Sequence, residues 1–347
     1  MHWFDHSRRA GWQQHSYAAL GFGLLLVLGG LAQADDSAEQ LLREKYGLLR
    51  LSGTVWGLPL EEQLREKLAA LPTLRESIVL AEKELQSRIE SNRLAWQENA
   101  PASEALRQSL ALLSPTDPRR LAGEQQLQAM QLLALPPDRL GANADVRARL
   151  IALGQDRSAM VLSLLWIRNA IPKLQQRYEE LAQSPDLRHL LKQLDGTRLG
   201  PLKNYTSEAR KAAEYDKLVF NSLLPVYFQG GRVRVAVIIN EQSSLTCTWS
   251  EATDSKLILP ASCLEGAGLT LPETATGKTV SLGMDRTLTV RETTLPYLRL
   301  GRHVVKDVPA WILPPEGEDL GATLPRQVLT GLRVQIQPEF LRMAVAD

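Results

Sequence analysis

The sequence predicts a multidomain α+β protein in which an N-terminal domain of helical, coiled-coil-like hairpins is followed by a small all-β barrel. With 347 residues, 44% of them hydrophobic, the chain is long enough for two domains with cores of their own. The middle is rich in Leu, Ala, Gln, Arg and Glu, whereas the last third is rich in Val, Thr, Gly and Pro. This change predicts a helical domain over 35–224, a linker over 225–231 and a β-domain over 232–347.

The N-terminus has the pattern of an export signal. Arg8 and Arg9 precede an apolar run over 18–32, and a small-x-small cleavage pattern ends at Ala34. We therefore expect 1–34 to be a signal peptide or a retained signal anchor, and both place the rest of the chain outside the cytoplasm. The predicted location is the periplasm, either as a soluble protein after cleavage or tethered to the inner membrane by this segment alone. The formal net charge of +1 gives no reason to expect a nucleic-acid partner.

Proline, acidic residues and a capping box mark helix starts in the helical domain. Glu61 and Glu62 follow Pro59, where carboxylates favour the positive end of a helix. Thr73 and Glu76 have the spacing of a capping box, which satisfies two backbone N–H groups at a helix start. We therefore expect separate helices over 60–71, 73–99 and 118–135.

The clearest periodic signal is a seam of apolar residues along one predicted helix, Val146 to Leu181. Its positions alternate spacings of four and three, as in a coiled coil, and all but Arg157 are apolar. They are Val146, Leu150, Leu153, Arg157, Met160, Leu164, Ile167, Ile171, Leu174, Tyr178 and Leu181. Pro172 falls inside the seam and is expected to kink or split the helix. The seam can be buried against other helices of its own chain or against a second copy, which would make the protein a homo-oligomer.

The last third is a series of short apolar runs separated by turn residues. The runs fall at 232–240, 244–249, 257–260, 277–283, 287–290, 298–301, 304–313 and 332–336. From Arg232 to Met343, this order resembles the retropepsin-like family of single-lobe aspartic peptidases. The resemblance implies a small β-barrel in which 277–283 and 287–290 form the arms of a flap hairpin.

The catalytic triplet of that family is missing from this sequence. A relative has Asp-Thr/Ser-Gly just before the segment that matches 257–260, and no Asp-Thr-Gly occurs anywhere in the chain. The family's usual interval puts Glu251 in the aspartate position, with Ala252 and Thr253 in place of the hydroxyl residue and the glycine. An alternative alignment puts Trp249 there instead. Pro325 replaces a second glycine of the family pattern.

These replacements predict a loss of peptidase activity. Aspartic peptidases place two carboxylates about 3 Å apart so that they share one proton, and single-lobe members supply one aspartate from each subunit. The side chain of Glu251 is one methylene longer than aspartate, and a misplacement of about 1 Å can cost about a hundredfold in rate. Ala252 also lacks the hydroxyl that joins the two loops in the family.

The predicted function is that of a non-catalytic scaffold, adaptor or regulator that binds a periplasmic protein or peptide. Two alternatives stay open. The first is an active periplasmic aspartic peptidase with an aberrant site at Glu251. The second is an envelope structural protein that binds cell-wall or polysaccharide material. No cofactor is expected, because the sequence has no Gly-rich phosphate loop and no zinc-ligand spacing.

The two cysteines of the chain, Cys247 and Cys263, both lie in the β-domain. In an oxidising compartment, a pair confined to one domain favours a disulfide. A bridge that closes a loop of this size contributes about 3 kcal/mol in the chain-entropy model. The alternative is two buried free thiols. Metal binding is not expected from two cysteines without clustered histidines.

Overall fold

The computed structural model describes residues 29–194, 196–201, 205–252, 256–271, 277–281 and 286–347. Over this range the protein is a mixed α+β structure, in which a long helical region is followed by a large C-terminal β-sheet. The predicted order of a helical and a β region is confirmed. Most of the predicted signal segment lies outside the described residues, and Ala34 lies within the first helix, α1 (Gly29–Glu44).

The helical region combines long helices with one small sheet. After α1, its elements are β1 (Leu49–Ser52), β2 (Val55–Gly57), α2 (Pro59–Ala111), α3 (Pro118–Leu133), α4 (Ala144–Gln183), α5 (Pro185–Gln193), β3 (Arg198–Leu199), α6 (Tyr205–Ala212) and α7 (Asp216–Val219). Strand β2 pairs with β1 in antiparallel and with β3 in parallel orientation. Helices α2 and α4 pack against each other and supply most of the helical core.

The predicted break between two helices near Pro72 is wrong, because α2 is one continuous helix. A proline inside a helix costs about 3 kcal/mol, since it removes a backbone hydrogen bond. Leu68, Leu71 and Ile78 lie on both sides of Pro72 and are buried in the same core. Because burial of one such side chain contributes roughly 1.5–3 kcal/mol, packing outweighs the proline. Thr73 is therefore a residue inside the helix rather than its N-cap.

Helix α4 carries the predicted seam and continues through Pro172 without splitting. All of the seam positions are buried except Ile171, which is half-buried. The seam therefore faces the core of its own chain. Among the described helices, α4 passes a length and composition test for a membrane span, and half of its apolar window is buried inside the protein. That position is typical of a core helix.

The β-domain consists of one sheet that closes on itself. Its strands are β4 (Leu223–Gln229), β5 (Arg232–Ile239), β6 (Ser243–Ser250), β7 (Leu257–Pro260), β8 (Gly277–Ser281), β9 (Thr287–Leu300), β10 (His303–Leu313), β11 (Thr323–Pro325), β12 (Arg333–Gln337) and β13 (Arg342–Ala346), with a short helix, α8 (Cys263–Gly266), after β7. The strand order is β12-β13-β4-β5-β6-β11-β7-β10-β9-β8, and a further pairing of β5 with β9 closes a barrel. The expected strand at 298–301 is the end of the long β9.

The predicted linker over 225–231 is wrong, because most of it is strand β4. This strand pairs with β5 on one side and with β13 on the other. Leu224 and Val226 are buried on one face of it. Gly230 and Gly231 both have positive φ, 57° and 73°, and form the tight turn into β5. Such a turn needs glycine-like conformations at both positions, so the glycines mark a hairpin rather than a flexible connection.

A buried arginine joins the helical region to the β-domain. Helix α4 packs across β4 and β5, and Arg157 in its middle is 8% exposed. Its guanidinium donates hydrogen bonds to a carboxylate oxygen of Glu82 on α2 and, at 3.1 Å, to Oδ1 of Asn221 just before β4. Burial lowers the pKa of Arg157, and the charge of Glu82 opposes that effect. This contact fixes three segments of the chain at one point.

The turn between β9 and β10 approaches the same point. Gly301 in this turn has a φ of +54°, and a Cβ atom there would lie 2.1 Å from the backbone oxygen of Asn221. The same oxygen accepts a hydrogen bond from the N–H of Arg302 at 3.3 Å. Both the backbone conformation and the close approach therefore require glycine.

We expect Gly301→Ala to lower the free energy of unfolding by about 3 kcal/mol, because it adds a clash to the strain of positive φ. Gly230→Ala is the matched control, since Gly230 also has positive φ but has open space around its Cβ position. The control should cost about 1 kcal/mol. Urea denaturation of the three proteins measures the difference. Equal losses in the two variants would contradict the close approach to Asn221.

Candidate functional site

The altered loop connects β6 to β7 and lies beside the end of β11. Strand β11 separates β6 from β7 and pairs with both of them, in parallel with β6. Pro325, the last residue of β11, lies opposite Ser250, the last residue of β6. Arg326, which follows Pro325, and Glu251, which follows Ser250, are therefore neighbours. The strand register thus brings a cation beside the residue in the predicted catalytic position.

Both carboxylate oxygens of Glu251 are bound by side chains of its own chain. The indole N–H of Trp249 donates to Oε1 at 2.8 Å, and the guanidinium of Arg326 lies 3.3 Å from Oε2. The side chains of Glu251 and Arg326 are 65% and 58% exposed. Exposed ion pairs contribute about 0–1 kcal/mol, so this pair orients the carboxylate more than it stabilises the fold. Trp249 is itself buried, so the alternative alignment places a core residue in the catalytic position.

The rest of the predicted pseudo-site is only partly described. The backbone N–H of Ala252 donates to Oγ of Ser250 at 3.3 Å, a local side-chain hydrogen bond of the kind that occurs in turns. Thr253 lies outside the described residues. The structure therefore brings Glu251 and Ala252 to the position just after β6.

Within its own chain, the described side-chain partners of Glu251 are not acidic. A dyad requires a second carboxylate within about 3 Å to share a proton. Within the described part of the chain, the side chains that bind Glu251 are a guanidinium and an indole. The same ranges contain no group of three or more His, Cys, Asp or Glu residues that would hold a metal ion. The site presents a carboxylate that these two side chains orient and that is exposed to solvent.

A second charged group lies just after the loop. Glu292 on β9 forms ion pairs with Lys256 at 3.0 Å and with Lys278 of β8 at 3.7 Å. The indole N–H of Trp311 on β10 donates to Glu292 at 3.1 Å. The hydrogen bond from Lys256 holds the pKa of Glu292 below its usual value, and the bond from Trp311 acts in the same direction. The group joins the loop to the arms of the β8–β9 hairpin.

Sequence reasoning missed Arg326, the ion-pair partner of Glu251, and Glu292, the ion-pair partner of Lys256. Arg326 follows Pro325 directly, but its position beside Glu251 depends on β11 lying between β6 and β7. Glu292 reaches Lys256 because β7 and β9 both pair with β10, where Trp311 lies opposite both Ile258 and Glu292. These are contacts between distant segments, and local sequence pattern carries no signal for them.

The predicted disulfide is absent, because Cys247 and Cys263 are both free. Cys247 lies on β6 with its side chain wholly buried in the barrel core. Cys263 begins the short helix α8 and is half-buried. A disulfide requires a narrow range of Cα distances and Cβ directions, and the strand and the helix do not provide them. Burial raises the pKa of Cys247 to about 12 and also raises that of Cys263.

Comparisons with known proteins do not assign this chain to a family. No protein-family model matches it, and no curated protein matches it. Among solved structures it is similar to the crystal structure of a retropepsin-like aspartic protease from Rickettsia conorii, with 11% identity and a TM-score of 0.29. The matched part covers 35% of this chain and 86% of that chain. A likeness at this level does not show membership of the family.

We expect two reactive thiols per chain when the protein is denatured without a reducing agent, because neither cysteine is bonded. In the native protein, Cys263 should react with a thiol reagent well before Cys247. A thiol with a pKa of about 12 stays protonated at neutral pH, and Cys247 is also shielded from solvent. A chromogenic thiol titration of the native and denatured chain, with Cys263→Ser as the control, measures the number of reactive thiols and how fast each one reacts. A denatured, unreduced chain without thiols would contradict the free pair.

Proposed function

We propose that this chain is a non-catalytic binding protein with a degenerate retropepsin-like β-domain, and that it acts as a scaffold or adaptor for a protein or peptide in the periplasm. One observation carries the proposal. The carboxylate in the predicted catalytic position is held by Trp249 and Arg326 of its own chain. A side chain held in this way and open to solvent is poorly suited to share a proton with a twin across a dyad.

The order and pairing of the strands support the retropepsin-like part of the proposal. Strands β5 and β6 lead into the altered loop, β7 follows it, and β8 and β9 form a hairpin. Strand β10 pairs with that hairpin, and β11 returns between β6 and β7. The order of β5 to β10 is the one that the resemblance implies, and the ion pairs of Glu292 show that the loop and the hairpin lie near one another.

The group around Glu292 supports a binding role for this side of the barrel. Lys278 and Lys256 are 60% and 33% exposed, and they flank one carboxylate together with the half-buried ring of Trp311. Both lysines also lie 5.9 Å from the centre of that ring. A surface with two cations, an aromatic ring and the adjacent hairpin arm offers hydrogen bonds, charge and apolar contact to a peptide.

The helical region supplies a second surface suited to an adaptor. The C-terminal part of α2 and helix α3 form an antiparallel hairpin. Leu112 and Leu121 near its turn are 87% and 63% exposed. Exposed leucines at the end of such a hairpin favour contact with another protein. The proposed role in the periplasm rests on the N-terminal signal pattern, with residues 1–34 removed or kept as an anchor.

The first test is peptide cleavage by the purified full-length chain, with a diverse peptide mixture over acidic to neutral pH. We expect no cleavage by the native sequence and none by Glu251→Ala. Glu339→Ala is the matched control, because Glu339 is an exposed glutamate in the turn between β12 and β13. Cleavage that is lost in Glu251→Ala but kept in Glu339→Ala would identify an active peptidase and overturn the proposal.

A photo-crosslinking amino acid tests whether a polypeptide partner binds at the β8–β9 hairpin. In cells that export the chain, a crosslinker in place of Lys278 should capture a polypeptide at the hairpin. The control places it at Arg333, an exposed residue of the edge strand β12. Equal capture from both positions, or capture from neither, would count against a partner at this side of the barrel.

A further inference from the structure

A groove of about 290 Å³ lies where the helical region meets the β-domain. One wall comes from α2 and α4, and the other comes from the segment entering β4 and from the turn between β12 and β13. Its apolar lining consists of Pro225 and six larger side chains, Leu85, Ile89, Leu153, Leu223, Phe340 and Leu341. Phe340 and Leu223 are 51% and 40% exposed, so the rim is apolar as well. The groove shares no residue with the altered loop.

The charges in this groove do not balance. Its charged lining residues are Arg157, Arg342 and Glu82. Glu82 pairs with Arg157, whereas no ion pair with Arg342 is recorded among the described residues. Arg342 lies near enough to Arg157 to lower the pKa of that guanidinium by like-charge repulsion, although burial has the larger effect. One positive charge is left over beside an apolar lining, and an anion placed there would relieve the repulsion.

The groove also contains polar groups that suit a polypeptide backbone. The amide of Gln86 makes no hydrogen bond within the described part of the chain. Asn221 uses its Oδ1 to accept from Arg157 and from the N–H of Leu223, which leaves its NH₂ group at the groove. Amide groups of this kind pair with peptide N–H and C=O groups, which an aliphatic acid does not have.

We propose that this groove binds the C-terminal end of an apolar polypeptide, with the terminal carboxylate at Arg342 and Arg157 and apolar side chains against Leu85, Ile89 and Phe340. The volume of about 290 Å³ lies just below the range of about 300–1,000 Å³ that is usual for ligand pockets. It therefore admits a short chain end rather than a folded partner. Arginine is well suited to the task, because its fork of N–H donors matches both oxygens of a carboxylate.

The test uses the full chain and a short, N-terminally labelled peptide of leucine and valine with a free C-terminal carboxylate. Its affinity is measured by fluorescence anisotropy and compared with that of the same peptide bearing a C-terminal amide. We expect the amide to bind about tenfold more weakly, because it loses the charge-assisted contact to arginine. Octanoate, used as an unlabelled competitor, should compete poorly because it has no backbone groups.

Two variants and a control locate the site. Arg342→Gln should weaken binding of the acid peptide about tenfold and leave the amide peptide unchanged. Phe340→Ala should weaken both peptides, because it removes the apolar wall. Arg333→Gln removes an exposed arginine from the neighbouring strand β12, outside the groove, and should change neither affinity.

Three results would overturn the proposal. The first is equal affinity for the acid and amide peptides, and the second is an Arg342→Gln protein that behaves like Arg333→Gln. The third is competition by octanoate that matches the unlabelled peptide, which would assign the groove to aliphatic acids instead. Arg342 and Phe340 are both exposed, so we expect their variants to keep the fold. Circular dichroism of each variant checks this.

Discussion

The arrangement of the two regions depends on the buried guanidinium of Arg157. Taking a cation out of water costs several kcal/mol unless partners satisfy it. Glu82 and Asn221 are those partners, and they come from α2 and from the segment entering β4. Because all three segments meet at one side chain, the start of β4 is fixed relative to the helices. The backbone of Asn221 then lies against Gly301, which holds the β9–β10 turn at the same place.

The same junction explains why the groove exists. Helix α4 crosses β4 and β5 through small residues such as Gly154 and Ser158, with Pro225 and Ala236 opposite them. Small side chains fill little of the space between a helix and a sheet, so cavities remain along the crossing. Arg342, at the start of β13, lines the groove of about 290 Å³ at this junction. The contact between the helical region and the β-domain thus leaves beside it a groove with apolar walls and an arginine side chain.

The local sequence pattern predicts the bounds of several barrel strands well, but it does not predict which segments pair or where a helix continues. The alternating apolar residues of β5, β6 and β7 specify strands wherever one face is buried, and the observed bounds follow the predicted runs closely. The continuity of α2 through Pro72 depends on packing against α4, and β4 depends on partners on both sides. The position of Glu251 after β6 was visible in the sequence. Its contact with Arg326 was not, because it follows from the insertion of β11 between two strands that are consecutive in the chain.

We propose that the carboxylate of Glu251, held by Arg326 and Trp249, takes no part in a catalytic dyad. The most direct test is the affinity of the chain for a peptide whose central amide is replaced by a secondary alcohol that mimics the tetrahedral intermediate. We expect the same affinity as for the matched amide peptide, because no shared proton is available to bind the alcohol. An affinity for the alcohol that is about a hundredfold tighter or more would indicate a working dyad and overturn this role for Glu251.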